Sequence, residues 1–410
     1  MIKIHQALFG DKNGGYGLLK ATCDTDLAKK IANYTDVHEQ TPDGVRWNNA
    51  LRGFSIDDYY LLMRTFVDPS AGVREGRVYT LCLIIPIGYL KDLDDLKGLL
   101  KYLPTDFNKD SEIVTPEFNP GGYRGTISTL RVNCLISSLL KSESDLVAWV
   151  DYEDYEDAIC TIWNNIVPSL RSSLRFGLAF SIQESKALSG LKIFSVPSKL
   201  ITKWQQNGIP VISTGDEMEL TGEAEKSLAG GDSSRLLTDF IKNYGIQIKR
   251  IDDYLPIQKI LQTVNEIGSA DLNGQLTLLN TINVYNTKST SINELKEKIA
   301  DAIVVHLKKG SIKEVIRVRI ENLRDLFPEP LFIKVVSELE ACVVTFAKET
   351  PNNIDDLFEN LIKPNVQEWW KKSVIGALKV FFNELNESSV RTILGLVEKS
   401  NNEDIGIVDD

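Results

Sequence analysis

The chain has 410 residues, a formal net charge of −11, 43% hydrophobic residues and 25% charged residues. That acidic balance argues against non-specific nucleic-acid binding, which needs a basic surface to neutralise phosphates. The longest apolar stretch, Val78 to Leu90, contains Pro86 and falls short of the ~20 residues that cross a bilayer, so no membrane partner is expected.

The length fits two or three domains. Five widely spaced cysteines without a CxxC pair (Cys23, Cys82, Cys134, Cys160 and Cys342) read as reduced thiols, neither a disulfide framework nor a zinc site. No apolar core follows Lys3, so the N-terminus does not read as a signal peptide, and a cytoplasmic protein is expected.

Residues 8–22 read LFGDKNGGYGLLKAT. Gly10 and Gly15 have P-loop spacing, yet Tyr16 and Gly17 stand where the lysine and hydroxyl would be needed. The third glycine of a dinucleotide-binding turn is also missing. A β-hairpin turning at DKNGG is expected, its Asn-Gly and Gly-Gly supplying positive φ. TDLAKKIANYT then places Leu27, Ile31 and Ala32 on one helical face. RVYTLCLIIP reads as a strand buried on both faces, and DLDDLKGLLKYL as a short helix closed before Pro104. These signals define an N-terminal α+β unit over 1–125.

A second, small α+β unit is expected over 126–214. ISTLRVNCLISSLLK and AICTIWNNIVPSLRSSL are its helices; RFGLAFSI and LKIFSVP are its strands. Residues 215–235 are polar and acidic and read as a linker. Helical periodicity dominates 236–400. SINELKEKIADAIVVHL and SIKEVIRVRIENLRDLF each open with a capping box, Ser291 to Glu294 and Ser311 to Glu314. This part is expected to form an all-helical bundle, with 401–410 as a tail. The expected fold class is α+β: an antiparallel N-terminal sheet with packed helices, a second small α+β unit and a helical C-terminal domain.

Catalytic constellations are not evident. His5, His38 and His306 are the three histidines, and none has a sequence partner that makes a nucleophile or a metal pair. The run Asp151, Glu153, Asp154, Glu156, Asp157 offers carboxylates for a cation, but it precedes an apolar helix and complements its dipole. GxSxG is absent, and SxxK at Ser138 and Ser189 has no companion motifs. No catalytic residue, cofactor or metal is therefore called for. Two clusters suit interaction. Arg64, Arg74 and Arg77 lie near Tyr59, Tyr60, Phe66 and Tyr79, as an interface or as arginines flanking buried strands. Trp369 and Trp370 are adjacent, and either both serve core packing or one is exposed for a partner.

In order along the chain, HQALFG, GGYGLLKAT, DDYYLLMRTFVDP, VREGRVYTLCLIIP and IVPSLRSSLRFGLAFS resemble the N-terminal and middle domains of bacterial GTPase-associated proteins. Gln6, Gly15, Leu18 and Leu19 match the opening; Tyr59, Tyr60, Arg64 and Thr65 match the second element. Arg74, Gly76 and Thr80 match the third, and Pro168, Leu170, Arg171 and Phe176 the middle pattern. Tyr16 and Leu81 replace family histidines, and Phe66 replaces a tryptophan. The resemblance implies a non-enzymatic adaptor of an NTPase-dependent conflict system, including anti-phage defence. Its partner would be a GTPase or another NTPase, and homo-oligomerisation is left open. A ligand sensor that oligomerises through its helices is the principal rival, a hydrolase or nuclease the lesser one. Gln6, Gly15, Tyr16, Arg64, Thr65, Arg74, Arg77, Trp369 and Trp370 are the interaction candidates.

Overall fold

The computed structural model describes residues 2–12, 15–36, 41–68, 77–119, 128–142, 144–231, 235–285, 290–349 and 354–382. Eleven strands occur among them: β1 (Ile2–Lys3), β2 (His5–Lys12), β3 (Gly15–Ala21), β4 (Asn49–Ile56), β5 (Tyr59–Val67), β6 (Val78–Pro86), β7 (Glu117–Phe118), β8 (Leu146–Val150), β9 (Leu174–Leu178), β10 (Leu191–Val196) and β11 (Val211–Ile212). Seven helices intervene: α1 (Thr25–Ile31), α2 (Leu96–Leu100), α3 (Leu130–Lys141), α4 (Tyr155–Asn165), α5 (Pro168–Arg171), α6 (Ile182–Ala187) and α7 (Ile201–Gln206). The protein is α+β, with a helical C-terminal region, as its periodicity predicts.

The chain divides into two compact units, residues 1–239 with 248–258, and residues 240–247 with 259–410. In the first, nine strands form one sheet in the order β11-β8-β10-β9-β4-β5-β6-β2-β3. From β4 to β3 the neighbours are antiparallel, as expected for the N-terminal part. β8 to β11 are mutually parallel. β4 and β9 join the two halves at Gly53 and Phe176, so the sheet runs across the boundary expected at 125/126. Parallel pairs need long crossovers, and here α4 to α7 lie in the connections between the parallel strands.

Alternation sorts β5 and β6 onto two buried faces. Leu61, Met63, Cys82 and Ile84 pack with Ala7, Phe9 and Ile31 of α1. On the opposite face Tyr60 meets Trp163 edge-on at 5.2 Å, and Arg64 meets Glu156. Glu156 and Trp163 are two helical turns apart, about 10.5 Å, while Tyr60 and Arg64 span about 13 Å of strand. α4 therefore runs along β5 in the reverse direction. β6 is buried from Val78 to Ile85, the outcome its unbroken apolar run requires.

Local signals set the helix starts. Asp24 caps α1 by accepting from the amides of Asp26 and Leu27, and Asp95 caps α2 by accepting from Gly98. Pro168 occupies the first turn of α5. The turn residues Asn13 and Gly14 lie outside the described residues, but β2 and β3 pair antiparallel as the hairpin requires.

Part of the stretch expected to be a linker, 215–235, is packed structure. Helix α8 (Glu223–Ala229) buries Ala224, Glu225 and Leu228. Glu225 accepts from Ser137 and pairs with Lys141, both on α3. Its polarity reflects a satisfied polar contact with α3 and not a solvated tether.

The second unit contains α11 (Leu272–Tyr285), α12 (Thr290–Lys309), α13 (Ile312–Arg317), α14 (Leu323–Leu326), α15 (Glu329–Glu349), α16 (Ile354–Leu361) and α17 (Glu368–Phe382). It follows α9 (Arg235–Asn243) and α10 (Tyr254–Asn265) in the chain. The Ser311–Glu314 capping box forms, and Ile292, Leu295, Ile299, Ile303 and Leu307 are buried as one stripe of α12. α12 spans Thr290–Lys309, and the capping box expected from Ser291 to Glu294 falls on a side chain outside those described. The expected tail, 401–410, lies outside the described residues.

Candidate functional site

The Arg64 guanidinium is buried in the middle of the first unit. Its Nε donates to the carbonyl of Leu103 at 2.7 Å. Nη1 donates to Asn49 Oδ1 at 2.9 Å, and Nη1 and Nη2 grip the two Glu156 oxygens at 2.5 and 2.8 Å. Tyr152 donates to the same carboxylate at 2.8 Å and accepts from the Leu51 amide at 2.7 Å. Burial alone would raise the Glu156 carboxyl; the Arg64 bonds and charge outweigh it and hold the carboxyl below its ordinary range. The arginine cluster and the acidic run of the sequence thus meet in one structural tie. Arg64 is not a surface residue.

The other arginines part company. Arg77 is ion-paired to Asp11 across the hairpin side of the sheet. Arg74 lies outside the described residues.

Gln6 is buried on β2, with Nε2 donating to the Tyr102 carbonyl and Oε1 accepting from Val114, each at 2.8 Å. Gly15 is exposed at the start of β3, the edge strand of the sheet. Tyr16, next on that strand, donates to Thr35 Oγ1 at 3.3 Å, and burial pushes its phenol up to about 12. Thr80 donates to the Thr35 carbonyl at 2.9 Å and shares a 3.0 Å hydroxyl bond with Thr65. Positions 16, 65 and 80 of the resemblance are therefore linked through Thr35.

In the second unit Trp369 and Trp370 are both buried. Successive helical residues point about 100° apart, and each ring finds its own wall. Trp369 Nε1 donates to the Glu321 carbonyl and Trp370 Nε1 to that of Val315, both at 2.8 Å. Phe332 of α15 meets Trp369 edge-on. The exposed tryptophan allowed by the sequence is not found.

Among the described residues, His5, His306 and the acidic run do not converge on one another. His306 bonds the Ala270 carbonyl in the second unit, and His38 lies outside the described residues. His5 is on β2 of the first unit, and its Nδ1 is buried with no hydrogen-bond partner among the described residues. Asp151 accepts from the Ser198 amide, and Asp157 pairs with Lys97. Among the described residues no three His, Cys, Asp or Glu side chains converge as a metal site.

The sequence reading missed the cavity where β4 and β9 meet. It encloses about 450 Å³, and its wall includes Trp47, Phe54, Phe176, Phe194, Arg52 and Arg175. Two short segments build it reciprocally, Arg52-Gly53-Phe54 and Arg175-Phe176-Gly177. A Cβ at Gly53 would collide with the Phe176 ring and approach the Tyr60 hydroxyl to 2.6 Å. A Cβ at Gly177 would come within 3.1 Å of Arg52 Cγ. Each glycine leaves room for a side chain of the facing strand. The signal was a cation beside an aromatic residue and a glycine, twice, in otherwise apolar strands.

Neither curated proteins nor solved structures gave a match to this chain. Residues 3–103, the stretch holding β2 to β6, Gln6, Tyr16 and Arg64, match the family model described as GTPase-associated protein 1, N-terminal domain type 1, so this quarter of the chain is similar to that domain.

Proposed function

We propose that the protein is a non-enzymatic adaptor of a bacterial NTPase-dependent conflict system, acting in the cytoplasm, with a GTPase or another NTPase as its partner. The match over residues 3–103 carries this reading. The side chains at its motif positions support it: Gln6, Arg64, Thr65 and Thr80 are committed to bonds inside the fold. They shape a scaffold and present no reacting pair. Contact with the partner is assigned to edge strand β3, which carries Gly15 and Tyr16. Its outer rim pairs with no other described strand, and edge strands are ready templates for another chain.

Co-expression of the full chain with the NTPases encoded beside its gene tests this, with size-exclusion chromatography in GDP and in a GTP analogue. A stoichiometric complex sensitive to Leu19→Glu or Lys20→Glu on β3 is expected. Elution of the chain apart from every such NTPase in both nucleotide states refutes the adaptor reading. Arg64→Ala is no interface test, because it removes an internal tie.

A further inference from the structure

We propose that the cavity between β4 and β9 is a binding site for a small anion with an aromatic or apolar body. Its volume of about 450 Å³ is that of a small-molecule site, and its wall is mostly aromatic and aliphatic. Two arginines, Arg52 and Arg175, lie in that wall, and among the described lining residues there is no aspartate or glutamate.

The two arginines differ. Arg52 donates to the Asp36 carbonyl at 3.0 Å and is held in place. Arg175 is half-buried and has no hydrogen bond or ion pair among the described residues; its guanidinium lies 5.7 Å from the centre of the Phe54 ring. Withdrawing a cation from water without a counter-charge is unfavourable, and burial accordingly pushes its pKa down. A carboxylate, sulfonate or phosphate ester would supply the missing charge, and the guanidinium fork suits such planar or tetrahedral anions. The ring of Phe54 beside Arg175, with Phe176, Phe194 and Trp47 around it, suits the body that carries the anion. Binding of this kind needs no partner protein and stands apart from the adaptor role.

Fluorescence titration of the full chain with 8-anilinonaphthalene-1-sulfonate is the test, against N-phenyl-1-naphthylamine, the same body without the sulfonate. One site per chain is expected, with the sulfonate preferred. Arg175→Met weakens the sulfonate about tenfold or more, the loss of one charge-assisted contact, and changes the neutral probe by less than about twofold. Because Arg175 gives up no hydrogen bond or ion pair among the described residues, the variant's melting temperature stays at or above the parent value. Leu188→Glu, at an exposed position of the cavity rim, also suppresses the sulfonate by charge. The proposal is overturned by equal affinity for the two probes, by no saturable binding, or by sulfonate binding that both variants leave intact.

Discussion

Replacing Arg64 by alanine removes the four bonds that its guanidinium makes to Leu103, Asn49 and Glu156. Breaking a buried ion pair from one side costs about 3–5 kcal/mol, because the remaining charge is left without compensation. The Glu156 side chain is 25% exposed and keeps its Tyr152 bond, which puts the loss near the lower end, about 3 kcal/mol. At roughly 2–4 °C per kcal/mol for a unit of this size, the first unit should melt about 6–12 °C earlier. Differential scanning calorimetry reads this. The pH dependence gives an independent check. In the parent, Glu156 is held below its unfolded value, so its stabilisation is present above about pH 4.3 and is lost as acid titrates it through the lower folded value. In Arg64→Ala burial is opposed only by the weaker Tyr152 bond, the carboxyl shifts upward, and the variant loses stability as pH rises from about 4 to 7. The deficit should therefore be larger at pH 7 than at pH 4. Arg64→Met with Glu156→Leu should recover part of it, since replacing both charges removes the orphan. An Arg64→Ala deficit under 2 °C, or one equal at both pH values, would refute the pairing as the source of stability.

Gly53→Ala should destabilise the first unit by about 1–3 kcal/mol through overpacking against Phe176 and Tyr60, read by chemical denaturation; an unchanged midpoint contradicts the close approach of β4 and β9. Trp370→Phe in the helical unit removes the bond to the Val315 carbonyl and should cost about 1–3 kcal/mol, seen as an earlier transition of that unit. Of the five thiols, Cys23 is half-buried and the other four are buried, with burial pushing the Cys160 thiol up to about 12 and the Cys82 thiol further. Titration of the native chain with a thiol-specific dye should modify Cys23 first and the rest only on unfolding; rapid release from two or more thiols contradicts this burial.

Sequence patterning located β2, β3, β6, α1, α4 and the C-terminal helices because each is governed by neighbours in the chain: a turn, an apolar run, a cap, a stripe. Arg64 shows where that information stops. Within YYLLMRTFV a lone cation in an apolar strand signals either an exposed edge or a buried counter-charge, and its partner lies 92 residues onward on α4. The pairing of Gly53 with Phe176 is equally remote, so neither the continuous sheet nor the cavity at that seam could be read from periodicity. Glu223–Ala229, within the stretch read as a linker, was hidden for another reason. Composition counted their acids, while Glu225 is made internal by Ser137 and Lys141 of α3. For Trp369 and Trp370 the sequence left core packing and exposure both open, because the second wall is supplied by segments remote in the chain.

The seam at β4 and β9 separates the stretch that matches the family model from what can stand by itself. The family match ends at residue 103, but Tyr60 donates to the Leu174 carbonyl, Ser55 to that of Ser172, and the Leu51 amide to Tyr152. A gene fragment cut at the end of the match would strip β4 of its neighbour and leave Arg64 facing a void. Recombination between relatives would have to carry residues from beyond position 170 along with the recognisable segment, or replace them with a surface of the same pattern.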